Sequence, residues 1–136
     1  MRIRKGTKQD AESCMRIVKL DKATHLKAED FKMCATDKNA VFFVAEETKV
    51  VGYILGFVVP TRHSEALIHE TRVDKAFRGR GIGTALVEHF SSCMLSKGVK
   101  TVTAMIEPSL ESFYIKSCGF KKVGNWVEAV KGVEIV

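Results

Sequence analysis

Between Arg78 and Thr84 the chain reads Arg-Gly-Arg-Gly-Ile-Gly-Thr, three glycines and two arginines between an apolar, strand-like run and an amphipathic, helix-like one. Residues of these types at this spacing hold phosphates. Glycine has no Cβ to keep an anion away from a main-chain N–H, and a helix starting here adds unpaired amides and the positive end of its dipole. Gly79, Arg80, Gly81, Ile82, Gly83 and Thr84 are therefore the expected pyrophosphate cradle, with Arg78 and Arg80 adding charge. A dinucleotide-binding turn would read G-x-G-x-x-G near a first strand, and a triphosphate loop would need Gly-Lys-Ser/Thr. This segment matches neither pattern.

The motif is Arg-x-x-Gly-x-Gly at Arg78, Gly81 and Gly83, preceded by Val73-Asp74-Lys75-Ala76-Phe77 and followed by Ala85-Leu86-Val87. It resembles the acetyl-coenzyme A signature of the GNAT superfamily of N-acetyltransferases. The likeness spans nearly the whole chain: Met1 to Asp10 is similar to that family's opening strand and helix start, Val41 to Val59 to its central hairpin, and Ser112 to Phe120 to its helix ending in Gly-Phe.

The resemblance implies a reaction and a site. Acetyl-CoA would serve as co-substrate, with no metal, and a primary amine of a small molecule or protein would attack its thioester directly. The strand before the loop would splay from its neighbour so that Arg72, Val73, Asp74 and Lys75 pair with the pantetheine arm, and the Val73 N–H would face the developing oxyanion. Glu70 is the expected base for the amine, with His69 as the other candidate. Strict alternation puts Leu67, His69, Thr71 and Val73 on one face and Ile68, Glu70 and Arg72 on the other, so both line one cleft only if the strand twists or bulges. A surface ion pair between Glu70 and Arg72 is the plain structural alternative.

Tyr114 is the expected acid for the leaving thiolate, and here the sequence departs from the family. Four residues separate Tyr114 from Gly119, where the usual form has three. An extra helical residue turns a side chain by about 100 degrees. Either the helix end absorbs it and Tyr114 stays aimed at the sulfur, or Tyr114 packs and water protonates the thiolate. The family's frequent asparagine before this helix is missing, its place taken by Glu107, Pro108 and Ser109.

These groups need elements to position them. Arg2 to Lys5 reads as a strand, and Thr7 then precedes apolar residues at helical spacing, Ala11, Cys14, Met15 and Val18, with Asp10 in the first turn. Lys27 to Ala35 is a shorter helix with Phe31 and Cys34 on one side. Val41 to Ala45 and Val50 to Val59 form a hairpin of β-branched and aromatic residues ended by Pro60. Leu67 to Val73 is a strand, Ile82 to Lys97 a long amphipathic helix, Thr101 to Ile106 a strand, and Pro108 opens a short helix. Gly119-Phe120 is expected to begin another strand, and Asn125 to Val130 a last one before a turn at Lys131-Gly132. The expected class is α/β, an α+β mixed twisted sheet with helices on both faces, in one domain over residues 1–136.

Composition bounds the rest. A chain of 136 residues with 46% hydrophobic and 28% charged residues has one globular core. No apolar run approaches a membrane span and the start lacks a secretory h-region, so a soluble, cytoplasmic protein without a membrane partner is expected. Cys14, Cys34, Cys93 and Cys118 have no metal-binding spacing and read as reduced thiols. The net charge of +6 is scattered without a recognition helix, which argues against specific nucleic-acid binding. His25, His63 and His89 lack partners at catalytic spacing. The loop at Pro60-Thr61-Arg62-His63 reads as a solvated connection that an acidic acceptor would also suit. Trp126 on an apolar last strand permits a homodimer, and Trp126 and Phe57 read as core or subunit contacts, not cofactor platforms. A non-catalytic acyl-CoA-binding regulatory module is the alternative to an enzyme.

Overall fold

The β-branched and aromatic runs of the middle third pair as their alternation requires. A computed structural model of the chain describes residues 1–21, 25–59, 64–125, 127–129 and 131–132. Strands β1 (Arg2–Lys5), β2 (Ala40–Glu46), β3 (Val50–Val58), β4 (Glu65–Val73) and β5 (Thr101–Ala104) lie side by side in that order, antiparallel except for the parallel β4–β5 pair. Helices α1 (Ala11–Asp21) and α2 (Ala28–Thr36) cover one face, and α3 (Ile82–Ser96) covers the other.

Each face has its own core. Ala11, Cys14, Ile17 and Val18, spaced for one side of α1, pack with Phe31 of α2 against Phe42, Val44, Tyr53 and Leu55. Phe31 is fully buried, edge-on to Tyr53 at 5.0 Å, and its burial contributes about 2–3 kcal/mol. On the opposite face Ile82, Leu86, Val87, Phe90 and Met94 of α3 pack on Val41, Ile54, Ala66 and Ile68.

The start of α1 is tied to the sheet. The Asp10 carboxylate accepts from the Thr7 N–H at 2.8 Å, closing the turn that leads into the helix. Its two oxygens also receive the Arg4 guanidinium at 2.8 and 2.9 Å, and Arg4 reaches on to Glu46 of β2. These hydrogen bonds hold the Asp10 carboxyl below the usual carboxylate range.

The C-terminal expectation fails. Gly119 takes φ +75° and the Phe120 N–H returns to the Tyr114 carbonyl at 3.0 Å, so Gly119-Phe120 caps the preceding turn and begins no strand. Among the described residues beyond it none is in a strand, and Val123 and Val127 are exposed. A β-branched residue favours a strand only where cross-strand neighbours pack on it, and these have none. Trp126 and Val130 lie outside the described residues, as do Pro60, Thr61, Arg62 and His63.

Candidate active site at the splay of β4 and β5

β4 changes character at its midpoint. Glu65 to Ile68 pair with β3 on one side and β5 on the other, but the β5 register ends at Ile68 opposite Ala104. From His69 to Val73 only β3 is paired, and the other edge has no strand partner among the described residues. The Asp74 N–H bonds the Val51 carbonyl at 2.8 Å, which fixes the ladder's phase. Asp74 and Arg72 turn their main-chain groups toward β3; Val73 and Thr71 turn theirs toward the gap. This corrects the expected four-residue edge. The Asp74 N–H and the main chain of Arg72 belong to the sheet, while Thr71, which the sequence did not single out, lines the opening.

A bulge sits where the strand changes. Leu55 pairs with Glu70 while its neighbour Gly56 pairs with Ile68, which leaves His69 as an extra residue. The expected alternation is therefore broken. Ile68, Thr71 and Val73 face the α3 side, where Ile68 and Val73 join the core, whereas His69 and Glu70 look to the α2 side. The bulge puts both candidate bases on one side of the sheet, although only His69 lines the cleft there.

Glu70 is held from two directions. Tyr53, wholly buried, donates its hydroxyl to Oε2 at 2.5 Å, and the Arg72 guanidinium reaches Oε1 at 3.0 Å. The Glu70–Arg72 pair anticipated as a surface feature has side chains only 15% and 12% exposed. Burial first, then the Glu70 charge, pushes the Tyr53 phenol far above its ordinary value, so it stays a donor. A carboxylate has about four lone-pair sites, so each oxygen keeps one for a further partner.

His69 is exposed beside Phe57, with ring centroids 6.1 Å apart. Together they line a cleft of about 230 Å³ whose other walls are Leu55, Leu26, Ala40 and, from α2 and its C-terminus, Asp30, Met33, Cys34 and Asp37. Phe57 is 40% exposed, which leaves the subunit-contact half of its expected role. A more open hollow of about 630 Å³ lies along α1, over Met15, Lys19 and Leu20, and touches neither Glu70 nor Tyr114.

Tyr114 reaches the gap from the opposite side. Ser112–Ser117 form a π-helical turn in which the Cys118 N–H bonds the Phe113 carbonyl five residues back, at 3.1 Å. A π turn takes up one residue more than an α turn, and that is how the fourth residue before Gly119 is absorbed. Tyr114 stays inside, 5% exposed between Phe113 and Phe120, and its hydroxyl shares a 3.2 Å hydrogen bond with Thr71 Oγ1. Burial raises its phenol pKa, so the group carries its proton through neutral pH.

The glycines of the loop divide their work. Gly79 and Gly81 have φ of +79° and +81°, a region that penalises any Cβ, and no atom stands within 4 Å of where one would sit. Gly81 caps α3, so the amides of Ile82, Gly83 and Thr84 have no acceptor inside the helix. Gly83 serves packing: a Cβ there would lie 3.2 Å from Phe113. The Thr84 hydroxyl donates to the Cys118 sulfur. The Arg80 guanidinium lies 4.9 Å over the Phe77 ring, with Lys49 5.7 Å from the same ring. The Arg78 Nε donates to the Val73 carbonyl at 3.1 Å. Lys75 is exposed in the short turn after β4, and the buried Asp74 is held by Arg16 at 2.8 Å and caps the Ala76 N–H. Open amides, an uncrowded loop and this positive rim suit a pyrophosphate.

Among the described residues no group of His, Cys, Asp and Glu has the arrangement to hold a metal ion, and no helix is long and apolar enough to cross a membrane. Sequence comparison finds L-2,4-diaminobutyric acid acetyltransferase of Virgibacillus pantothenticus 34% identical over 94 residues, 64% of this chain and 59% of that protein. The chain thus spans about three fifths of that relative's length. Among solved structures, a putative acetyltransferase from Agrobacterium tumefaciens str. C58 superposes with TM-score 0.79 at 23% identity, over 95% of this chain and 100% of that one. The aminoglycoside acetyltransferase meta-AAC0020 from an uncultured soil metagenomic sample, in complex with sisomicin, gives 0.72 at 19%, over 96% of each. These likenesses show the fold. The model of the acetyltransferase (GNAT) family matches residues 6–120, which take in the splayed strand, the glycine loop and the π-helical turn, and the chain belongs to that family.

Proposed function

We propose that the chain is an acetyl-CoA-dependent N-acetyltransferase that passes the acetyl group directly to a primary amine. The observation that carries this reading is the position of Val73. Its N–H faces the gap left by β5, between the α3 N-terminus on one side and Glu70 and Tyr114 on the other.

The amides of Ile82, Gly83 and Thr84, with Arg78 and Arg80, bind the pyrophosphate, and the open edge of β4 guides the pantetheine arm to Val73. The neutral amine nitrogen then attacks the thioester carbonyl carbon. The carbonyl oxygen takes up charge beside the Val73 N–H, a donor already in place. Collapse breaks the C–S bond, the thiolate takes a proton from Tyr114, and the amine's proton leaves to Glu70 directly or through a water. Tyr53 and Arg72 position Glu70; they act through it. His69 stands one residue further along the acceptor side. The name of the Virgibacillus relative makes a small amine the first acceptor to try.

One observation favours the alternative of a non-catalytic acyl-CoA-binding module: both Glu70 oxygens are already engaged. Thiol release from acetyl-CoA across a panel of primary amines separates the two. The enzyme reading expects amine-dependent release, and Glu70→Gln lowering kcat about 100-fold while acetyl-CoA affinity stays within twofold. Saturable acetyl-CoA binding without release for any amine establishes the module instead.

A further inference from the structure

Tyr114 does not face the gap alone. Its hydroxyl lies 3.2 Å from Thr71 Oγ1, and each partner is fixed by its own element. Thr71 pairs across the ladder with the fully buried Ile54, and its β-branched side chain is stiff about χ1. The Tyr114 ring is held edge-on by Phe113 at 4.9 Å and Phe120 at 5.5 Å, which leaves the O–H as the part that can turn. The His69 bulge is what brings the pair together. Without the extra residue, alternation from Ile68 would send Thr71 to the opposite face of the sheet.

A phenol ordinarily ionises near about 10 and a thiol near about 8.5, so passing a proton from a tyrosine to a thiolate runs uphill. Burial raises the Tyr114 phenol and steepens that step, while the hydrogen bond with Thr71 opposes it. A neighbour eases ionisation in this way only when it donates, because a donor favours the phenolate. We propose that Thr71 is the positioning residue of the acid: its hydroxyl donates to the Tyr114 oxygen, turns the tyrosine's own proton toward the sulfur, and holds the phenolate left when that proton has gone. The Tyr114 O–H bond breaks, an S–H bond forms, and the negative charge passes from sulfur to the phenol oxygen. Thr71 keeps its proton throughout, and the proton that Glu70 took from the amine returns through solvent to the tyrosine. The proposal rests on the acetyltransferase reading with Tyr114 as its acid.

Thiol release from acetyl-CoA with the fastest amine of the panel, measured for Thr71→Val and Thr71→Ser, tests it. Valine keeps the branched outline and loses the donor; serine keeps the donor and loses the methyl. The expected result is a kcat about tenfold lower in Thr71→Val with the acetyl-CoA KM within about twofold, and serine within about twofold of the unsubstituted protein in both. In a Tyr114→Phe background Thr71→Val costs nothing further. Melting curves report whether valine disturbs the fold, and Thr71→Ala, which removes the donor with less bulk, repeats the test if it does. Unchanged or faster turnover in Thr71→Val, activity ranking valine above serine, or losses that multiply in the Tyr114→Phe background overturns the role of Thr71 and leaves the acetyltransferase intact. Absence of amine-dependent thiol release from the unsubstituted protein overturns both.

Discussion

The two halves of β4 share one strand and behave as different objects. In Glu65–Ile68 the backbone is saturated by β3 and β5, Ala66 and Ile68 are buried, and the residues serve the core. In His69–Val73 the bulge adds a residue, β5 has gone, and the exposed His69 and half-buried Glu70, Thr71 and Arg72 gather around a main-chain edge that still has hydrogen bonds to offer. An unpaired edge is ordinarily a liability that attracts other strands. Here it lies between the turn of Tyr114 and the mouth of α3, where the peptide-like arm of acetyl-CoA is the proposed partner.

Proline substitution probes that contrast most severely. Val73→Pro removes an N–H that makes no bond to β3, so a folded protein with turnover reduced about 100- to 1,000-fold is expected, measured by thiol release with unfolding followed in parallel. Ile68→Pro, in the doubly paired half, is expected to prevent folding instead. If Val73→Pro unfolds and Ile68→Pro does not, the division of the strand is wrong.

Tyr114→Phe comes next. It removes the hydroxyl that meets Thr71 while keeping the ring between Phe113 and Phe120, and kcat should fall about 10- to 100-fold with the acetyl-CoA KM unchanged. Turnover indifferent to the change at every pH would leave Tyr114 as a packing aromatic.

Tyr53→Phe should lower kcat roughly fivefold to tenfold, since the hydroxyl positions Glu70 without touching substrate, and should cost nothing further in a Glu70→Gln background. Additive losses would mean that Tyr53 acts through the core alone.

The smallest effect concerns the clamps outside the strand. Asp10 beside Arg4 and Asp74 beside Arg16 are both held below the ordinary carboxyl value of 3.8. A depressed group stabilises the fold above its unfolded pKa and loses that contribution as pH falls through the folded one. The melting temperature should therefore be flat near neutrality and drop below about pH 4, and Asp10→Asn should cost about 1–2 kcal/mol at neutral pH with a shallower acid limb.

Much of this was legible in order along the chain. Helix α3 ends within a residue of the expected Ile82–Lys97, the hairpin turns at Glu47 to Lys49, and the loop glycines adopt the left-handed backbone their type suggested at Gly79 and Gly81. The pairing of Glu70 with Tyr53, 17 residues apart, was not, because no local periodicity encodes which buried hydroxyl lies across a ladder. Nor was the expected last strand avoidable from composition, since Val123 and Val127 have strand-forming side chains and no partner.

By itself, then, the sequence determined what is local: the helix and strand periods, the glycines that permit positive φ, and a positively charged helix start able to meet a phosphate. Tertiary structure alone decided where β5 stops pairing, that His69 bulges so that it and Glu70 look to the same side of the sheet, and that a π turn keeps Tyr114 pointed at Thr71. Each of those depends on groups distant in the chain competing for the same hydrogen bonds and the same volume, and such competition is settled only when the faces of the sheet are packed.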